Sequence, residues 1–189
     1  MTEKKVGKWQ IKDSVLVLDN QWAKVRRDVC LLPDGTEIDG YYYWEGGHFA
    51  QVFALTPEDQ VILVSQYRHG VREINIELPA GLIEFYDGNT PNALKTAQQE
   101  LLEETGFAAE TWTSLGMLHT SPGKSTTCSY NFLAQNAQWV QKPQLDGLEA
   151  IDVILCPISE ILGMIAKGKI RDSNSVATCL LALQALGKI

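Results

Sequence analysis

The stretch GLIEFYDGNTPNALKTAQQELLEETGF, residues 81–107, decides how this chain is read. Thr90-Pro91 predicts a helix start, with threonine as the cap and proline in the first helical position, where its missing N–H costs nothing. Gly106 predicts the stop, a glycine just past the last turn. Within the helix expected over 91–105, Ala93 and Ala97 lie four apart with Leu94 and Leu101 beside them, a stripe that faces a core. Steps of three and four along that stripe reach Glu100 and Glu104, one turn apart, with Glu103 adjacent to both. Like charges four apart repel, and anions in a last turn oppose the helix dipole. Each effect amounts to tenths of a kcal/mol up to about 1 kcal/mol, but all share one sign. No Lys or Arg lies within a turn of Glu104 on this helix to offset them. A divalent cation reverses the balance, because Mg²⁺ is a hard ion that prefers oxygen ligands and keeps several waters. The other reading of the helix alone is a solvated acidic face.

Composition narrows the rest. With 189 residues, 45% hydrophobic and 21% charged, the chain fits one soluble globular domain, or one domain with a short extension. The net charge of -7 argues against nucleic acid as a partner, since general binders carry a basic field. An acidic chain acting on an anionic phosphate needs a local source of positive charge, from a divalent cation or a few arginines. Cys30, Cys128, Cys156 and Cys179 are scattered and form no CxxC pair, which speaks against structural zinc and a disulfide framework and suits a reducing cytoplasm. The start MTEKKVGKWQIKD has no apolar core of a secretory signal, and no apolar run approaches membrane-spanning length. The chain is expected in the cytoplasm, with no membrane partner.

Strand signals dominate the first half: VLVL (15–18), AKVRRDVCLL (23–32), YYYW (41–44), HFAQVFAL (48–55), VILVSQY (61–67) and EINIEL (73–78). TWTSLGML (111–118), CSYNFLA (128–134) and AIDVILC (150–156) follow the helix, and 158–168 and 173–187 have helical periodicity. Strands first and helices interleaved late predict an α/β layered domain with a mixed sheet. Residues 1–45 are read as an N-terminal β extension and 46–189 as the main domain.

ELPAGLIE (77–84) and QELLEETGF (99–107) resemble the two ends of a Nudix box, the second half through Glu100, Leu101, Glu103, Glu104, Gly106 and Phe107. Weaker likenesses lie in QYR (66–68), SPG (121–123), LEAIDV (148–153) and GKIRDSNS (168–175). The ELPAG segment is typical of the branch that acts on ADP-ribose and nucleotide sugars. Two departures stand out. Gln99 replaces the pattern's arginine, and the loop before the helix is four residues longer than the pattern, the excess lying within EFYDGNTP (84–91). The pattern's first glutamate has no aligned partner, Glu84 and Asp87 being only near it.

The resemblance implies an α/β/α sandwich with a mixed sheet, and Mg²⁺-dependent hydrolysis of a pyrophosphate, with Mn²⁺ as a possible substitute. It implies Glu100 and Glu104 as metal ligands, Glu103 beside them or on a further ion, and the carbonyl of Ala80 completing the shell. Glu149, just before the strand AIDV, is the preferred general base, with Asp146 as the other candidate. Arg68 would contact substrate phosphate or ribose; an ordinary surface ion pair is the alternative. Glu77 would bond substrate or pair with Arg68, and Leu82 joins the substrate-contacting set. Trp22 resembles an aromatic that stacks on adenine from a partner subunit, or it packs in a core. A homodimer using the N-terminal strands is implied as well. A catalytically weak sensor with the same fold, and a Nudix enzyme for nucleoside triphosphates or coenzyme A derivatives, are the competing readings.

Overall fold

The structure, a computed structural model, describes residues 6–84, 86–88, 90–145, 147 and 150–189, and the backbone alone at Asp87. The chain divides into two compact units. In the first, β1 (Gln10–Asn20), β2 (Ala23–Leu31) and β3 (Glu37–Trp44) form an antiparallel sheet in that order. Asp28 and Cys30 on β2 are buried, whereas β1 is exposed along almost its whole length. The unit also takes in residues 119–127, which carry the SPG motif. Backbone bonds tie this segment to Trp44, whose N–H donates to Lys124 O (2.7 Å) and whose carbonyl accepts from Thr126 N (3.1 Å). The expected extension over 1–45 thus has a partner segment from far along the chain.

The second unit is built on a sheet. Its strands are β4 (Phe49–Leu55), β5 (Gln60–Arg68), β6 (Glu73–Glu77), β7 (Ala80–Leu82), β11 (Thr111–His119), β12 (Cys128–Gln135) and β14 (Ile151–Pro157). The central order is β11-β12-β4-β5-β14, with β6 added to β5 and β7 to β4. β12 runs parallel to β4, while β5 is antiparallel to β4 and to β14, so the sheet is mixed. Two short ribbons lie outside it, β8 (Tyr86–Asp87) on β9 (Thr90–Pro91) and β10 (Phe107–Ala108) on β13 (Gln138–Trp139).

The residues of β4 explain the layers. Ala50, Val52 and Ala54 point to one face and pack with Ala93, Ala97 and Leu101 of α1 (Ala93–Thr105). Phe53 and Leu55 point to the other face and pack with Ile161 of α2 (Ile161–Ala166) and with Cys179, Ala182 and Leu183 of α3 (Ser173–Ala185). A strand covered on both faces has no polar alternation, as the run FAQVFAL shows. This is the α/β/α sandwich with a mixed sheet that the sequence predicts. Small residues on the α1 face of β4 let the helix approach closely, and full burial of a side chain such as Leu101 contributes roughly 1.5–3 kcal/mol.

Two local expectations are corrected. The helix starts at Ala93, not at Pro91: its cap is Asn92, whose side chain accepts from Lys95 N at 3.2 Å, while Thr90-Pro91 pairs with Tyr86–Asp87. Leu94, assigned to the core stripe, is 39% exposed, because the helix docks through the alanines at 93 and 97 and turns 94 outward. Gly106 does close the helix, in the left-handed region with φ 76°, and donates to Leu102 O. Among the described residues no helix is long and apolar enough to cross a membrane.

Candidate active site

The site grows from the turn that joins β6 to β7. Pairing of β7 with β4 sets Gly81 opposite Ala50 and Ala80 opposite Gln51. Because α1 docks on the alanines of β4, its last two turns come to lie against β7. Glu104, only 4% exposed, accepts a bond from Ala80 N through Oε2 at 3.1 Å. Glu100, one turn earlier, lies over Gly81: a Cβ built at position 81 would overlap the Glu100 carboxylate outright. Gly81 does not have a positive φ, so space alone demands the glycine here. Thus the two carboxylates that the helix places one turn apart both meet the start of β7 at Ala80–Gly81. Glu103 is turned aside and accepts from Gln99 Nε2 at 2.8 Å. The neutral glutamine, standing where the box has arginine, therefore braces Glu103 from one turn below.

Arg68 ends β5, and Glu77 closes β6. The guanidinium holds the buried carboxylate with two nitrogens: Nε donates to Oε1 (3.2 Å) and Oε2 (3.0 Å), and Nη2 donates to Oε2 (2.6 Å). Such a fork fixes both groups in one geometry. Burial alone lowers the Arg68 pKa, but the bond to Glu77 and the charges of Glu77, Glu104 and Asp172 more than reverse this and raise it. The surface-pair alternative for Arg68 and the pairing alternative for Glu77 are thus realised in part. The Arg68 side chain nevertheless stays 46% exposed, so its outer face is open to a ligand.

A cleft of about 500 Å³ opens at this point, with Arg68, Glu77, Ala80, Gly81 and Leu82 in its wall. Four of the residues singled out from the sequence, Arg68, Glu77, Ala80 and Leu82, therefore converge. Asp172 and Asn174, at the start of α3, line the same cleft. They belong to the motif GKIRDSNS, where the expected cap role of an Asp before a helical run was the signal available. Glu149 and Asp146 lie outside the described residues. Glu84 is exposed, and the Asp87 side chain is likewise outside the described set. Trp22, at the β1–β2 turn of the first unit, is 79% exposed, which overturns its packing in a core.

The donor set fits a hard cation. Among the described residues lining the cleft, Arg68 is the one Lys or Arg, beside Glu77 and Asp172, with Glu100 and Glu104 against the Ala80–Gly81 turn. Among the described residues no three His, Cys, Asp or Glu side chains form a ready ligand group. The carboxylates of Glu100 and Glu104 alone would leave most positions of such an ion to water, which Mg²⁺ tolerates.

Residues 48–179 of the chain match the model of the NUDIX domain. The chain belongs to the Nudix family. Residues 9–44 match a second model, the nucleoside diphosphate sugar hydrolase N-terminal domain. An ADP-ribose pyrophosphatase of Bacillus subtilis (strain 168) is 31% identical over 66% of this chain, and the match spans 65% of that protein. A GDP-mannose pyrophosphatase of Klebsiella pneumoniae is 32% identical over 88% of the chain and 86% of its own length. The crystal structure of an ADP compounds hydrolase shares the fold, with a TM-score of 0.83 over 99% of this chain and 100% of that one, at 19% identity. Nudix hydrolases generally use divalent metals.

Proposed function

We propose that this Nudix chain hydrolyses the pyrophosphate bond of ADP-ribose or a related nucleoside diphosphate sugar, with Mg²⁺ as its metal and Mn²⁺ as a substitute. The observation that carries the reading is the joint approach of Glu100 and Glu104 to the Ala80–Gly81 turn in the wall of the Arg68 cleft. Glu100, Glu104 and the Ala80 carbonyl would hold the cation, with Glu103 beside them. When bound, it neutralises phosphate oxygens and acidifies water. Arg68, clamped by Glu77, offers its exposed edge to a phosphate or ribose of the substrate. Water attacks one phosphorus, the bond from that phosphorus to the bridging oxygen breaks, and the products are a nucleoside monophosphate and a sugar phosphate. Glu149 takes the proton of the attacking water in this scheme. Leu82, 64% exposed at the cleft, packs against the bound nucleoside.

The same reading takes the chain as a cytoplasmic homodimer joined through its N-terminal strands, with Trp22 stacking on the base bound by the partner. The support is physical. Among the described residues β1 is an edge strand, paired with β2, and it exposes Ile11, Val15, Val17 and Leu18. Exposed apolar strand edges are association surfaces. Light scattering on the full chain should give twice the monomer mass.

The deciding experiment incubates the protein with ADP-ribose, ADP-glucose, UDP-glucose, GDP-mannose and ATP, with and without Mg²⁺, and resolves the products by chromatography. Mg²⁺-dependent release of a nucleoside monophosphate is expected from a diphosphate sugar. Loss of one charged ligand worth ~3 kcal/mol in the transition state lowers the rate by about 100-fold, the effect expected of Glu104→Gln. No turnover of any of the five overturns the reading.

A further inference from the structure

We propose that Ser175 is a positioning residue: through Leu78 it holds the Leu78–Ala80 segment in the register at which Ala80 and Gly81 meet the glutamates of α1. The proposal rests on the metal reading of that turn given above.

The argument is an accounting of backbone donors. Leu78, Pro79 and Ala80 offer two N–H groups, since proline has none. Leu78 is 1% exposed, so its N–H needs an acceptor inside the protein. It donates to Ser175 Oγ at 3.0 Å, across 97 residues of sequence. The second N–H, on Ala80, donates to Glu104. Between them, the Pro79 carbonyl accepts from Val52 N at 3.0 Å. The segment is therefore pinned by α3 at Leu78, by β4 at Pro79 and along the β7 ladder, and by α1 at Ala80. Its two donors both go to side chains, and the β7–β4 ladder, which begins at Ala80, holds the chain only from there on, so Leu78 depends on Ser175.

Ser175 is itself held from two sides. Its N–H donates to the helix cap Asp172 at 2.7 Å. Its Oγ accepts a second bond, from Gln51 Nε2 at 3.0 Å. Gln51 Oε1 lies 2.9 Å from Thr178 Oγ1, which also reaches Asn131 Oδ1 at 2.8 Å. Ser175, Thr178 and Asn131 are fully buried, and Gln51 is 2% exposed. A buried hydroxyl that accepts two bonds is held by both donors. Thr178 belongs to the same polar group but makes no bond to the turn, which supplies a control.

The test compares Ser175→Ala with Thr178→Val. Ser175→Ala removes the acceptor of Leu78 N–H and Gln51 Nε2, and Thr178→Val removes the single hydroxyl proton shared by Gln51 Oε1 and Asn131 Oδ1, so both should melt earlier by circular dichroism. Mn²⁺ binding to the protein without substrate is then read from the loss of the free-ion electron paramagnetic resonance signal. Ser175→Ala should weaken binding by roughly 10-fold or more, the scale of an orienting contact behind metal ligands. The Mg²⁺ concentration for half-maximal activity should rise with it, and Thr178→Val should change neither. Wild-type affinity in Ser175→Ala, or equal weakening in both variants, overturns the proposal, because the role is then only structural. Wild-type protein that leaves all Mn²⁺ free overturns the metal reading and this proposal with it. Mn²⁺ binding that depends on Ser175 in a protein that cleaves no diphosphate sugar upholds the proposal and overturns the substrate instead. Should Ser175→Ala fail to fold, Ser175→Cys keeps nearly the same volume with a weaker acceptor and carries the same comparison.

Discussion

Gly81 and Arg68 show how single residues define the site. At Gly81 the constraint is room for the Glu100 carboxylate, not backbone freedom. Gly81→Ala should therefore fold, because Glu100 is the end of a flexible, partly exposed side chain that can swing away. Under the proposed metal reading the swing removes a ligand, so Mn²⁺ affinity and diphosphatase activity should both collapse while the melting temperature holds, checked by titration and circular dichroism on one preparation. Arg68 is different, because its partner Glu77 is 5% exposed. Arg68→Ala leaves that carboxylate without its bonded cation, at a cost of ~1–3 kcal/mol in urea unfolding for an unsatisfied buried charged group. Glu77→Gln in the same chain should recover part of the stability and none of the activity, a coupling that a double-mutant cycle measures. Both residues were legible in the sequence, as the glycine of ELPAG and the arginine of QYR. Their partners were not, since nothing local says that position 81 meets position 100.

At the level of elements, the informative case is the start of α1. Thr90-Pro91 and Asn92 are both good helix starts by local rules. The structure uses Asn92, and the four extra residues of the loop let Thr90-Pro91 close a small ribbon with Tyr86–Asp87. Asn92→Ala should therefore cost ~1 kcal/mol in denaturant unfolding and Thr90→Ala much less, the reverse of what the capping pattern predicts. The end of the helix was legible, because Gly106 has a single local solution, a left-handed stop. Long strands were legible for the same reason, their patterning being local. The short ones, β7 to β10 and β13, were not, since two or three residues carry no period and exist only because a partner strand is there.

The whole molecule buries all four cysteines. Burial is the main cause that pushes the Cys179 thiol from 9.0 up to about 12. The folded chain keeps that proton where the unfolded chain releases it. Its contribution to stability is complete below pH 9 and is lost as the pH rises towards about 12. Melting curves between pH 8 and roughly pH 10.5 should fall less steeply for Cys179→Ala than for wild type, other groups titrating alike in both. A parallel slope in the two proteins would refute this.

By itself, the sequence determined the fold class, the helix bearing Glu100 and Glu104 one turn apart, and the stop of that helix at Gly106. These follow from the 3.6-residue period, from caps and from glycine, all of which act over a few residues. Only the tertiary structure decided that Ala80 N meets Glu104, 24 residues away, that Gly81 makes room for Glu100, and that Ser175 holds Leu78 from α3. Those contacts depend on the register of β7 on β4 and on two helices docking on opposite faces of one strand. That register is set by side-chain packing across the sheet, where no short window of sequence reaches.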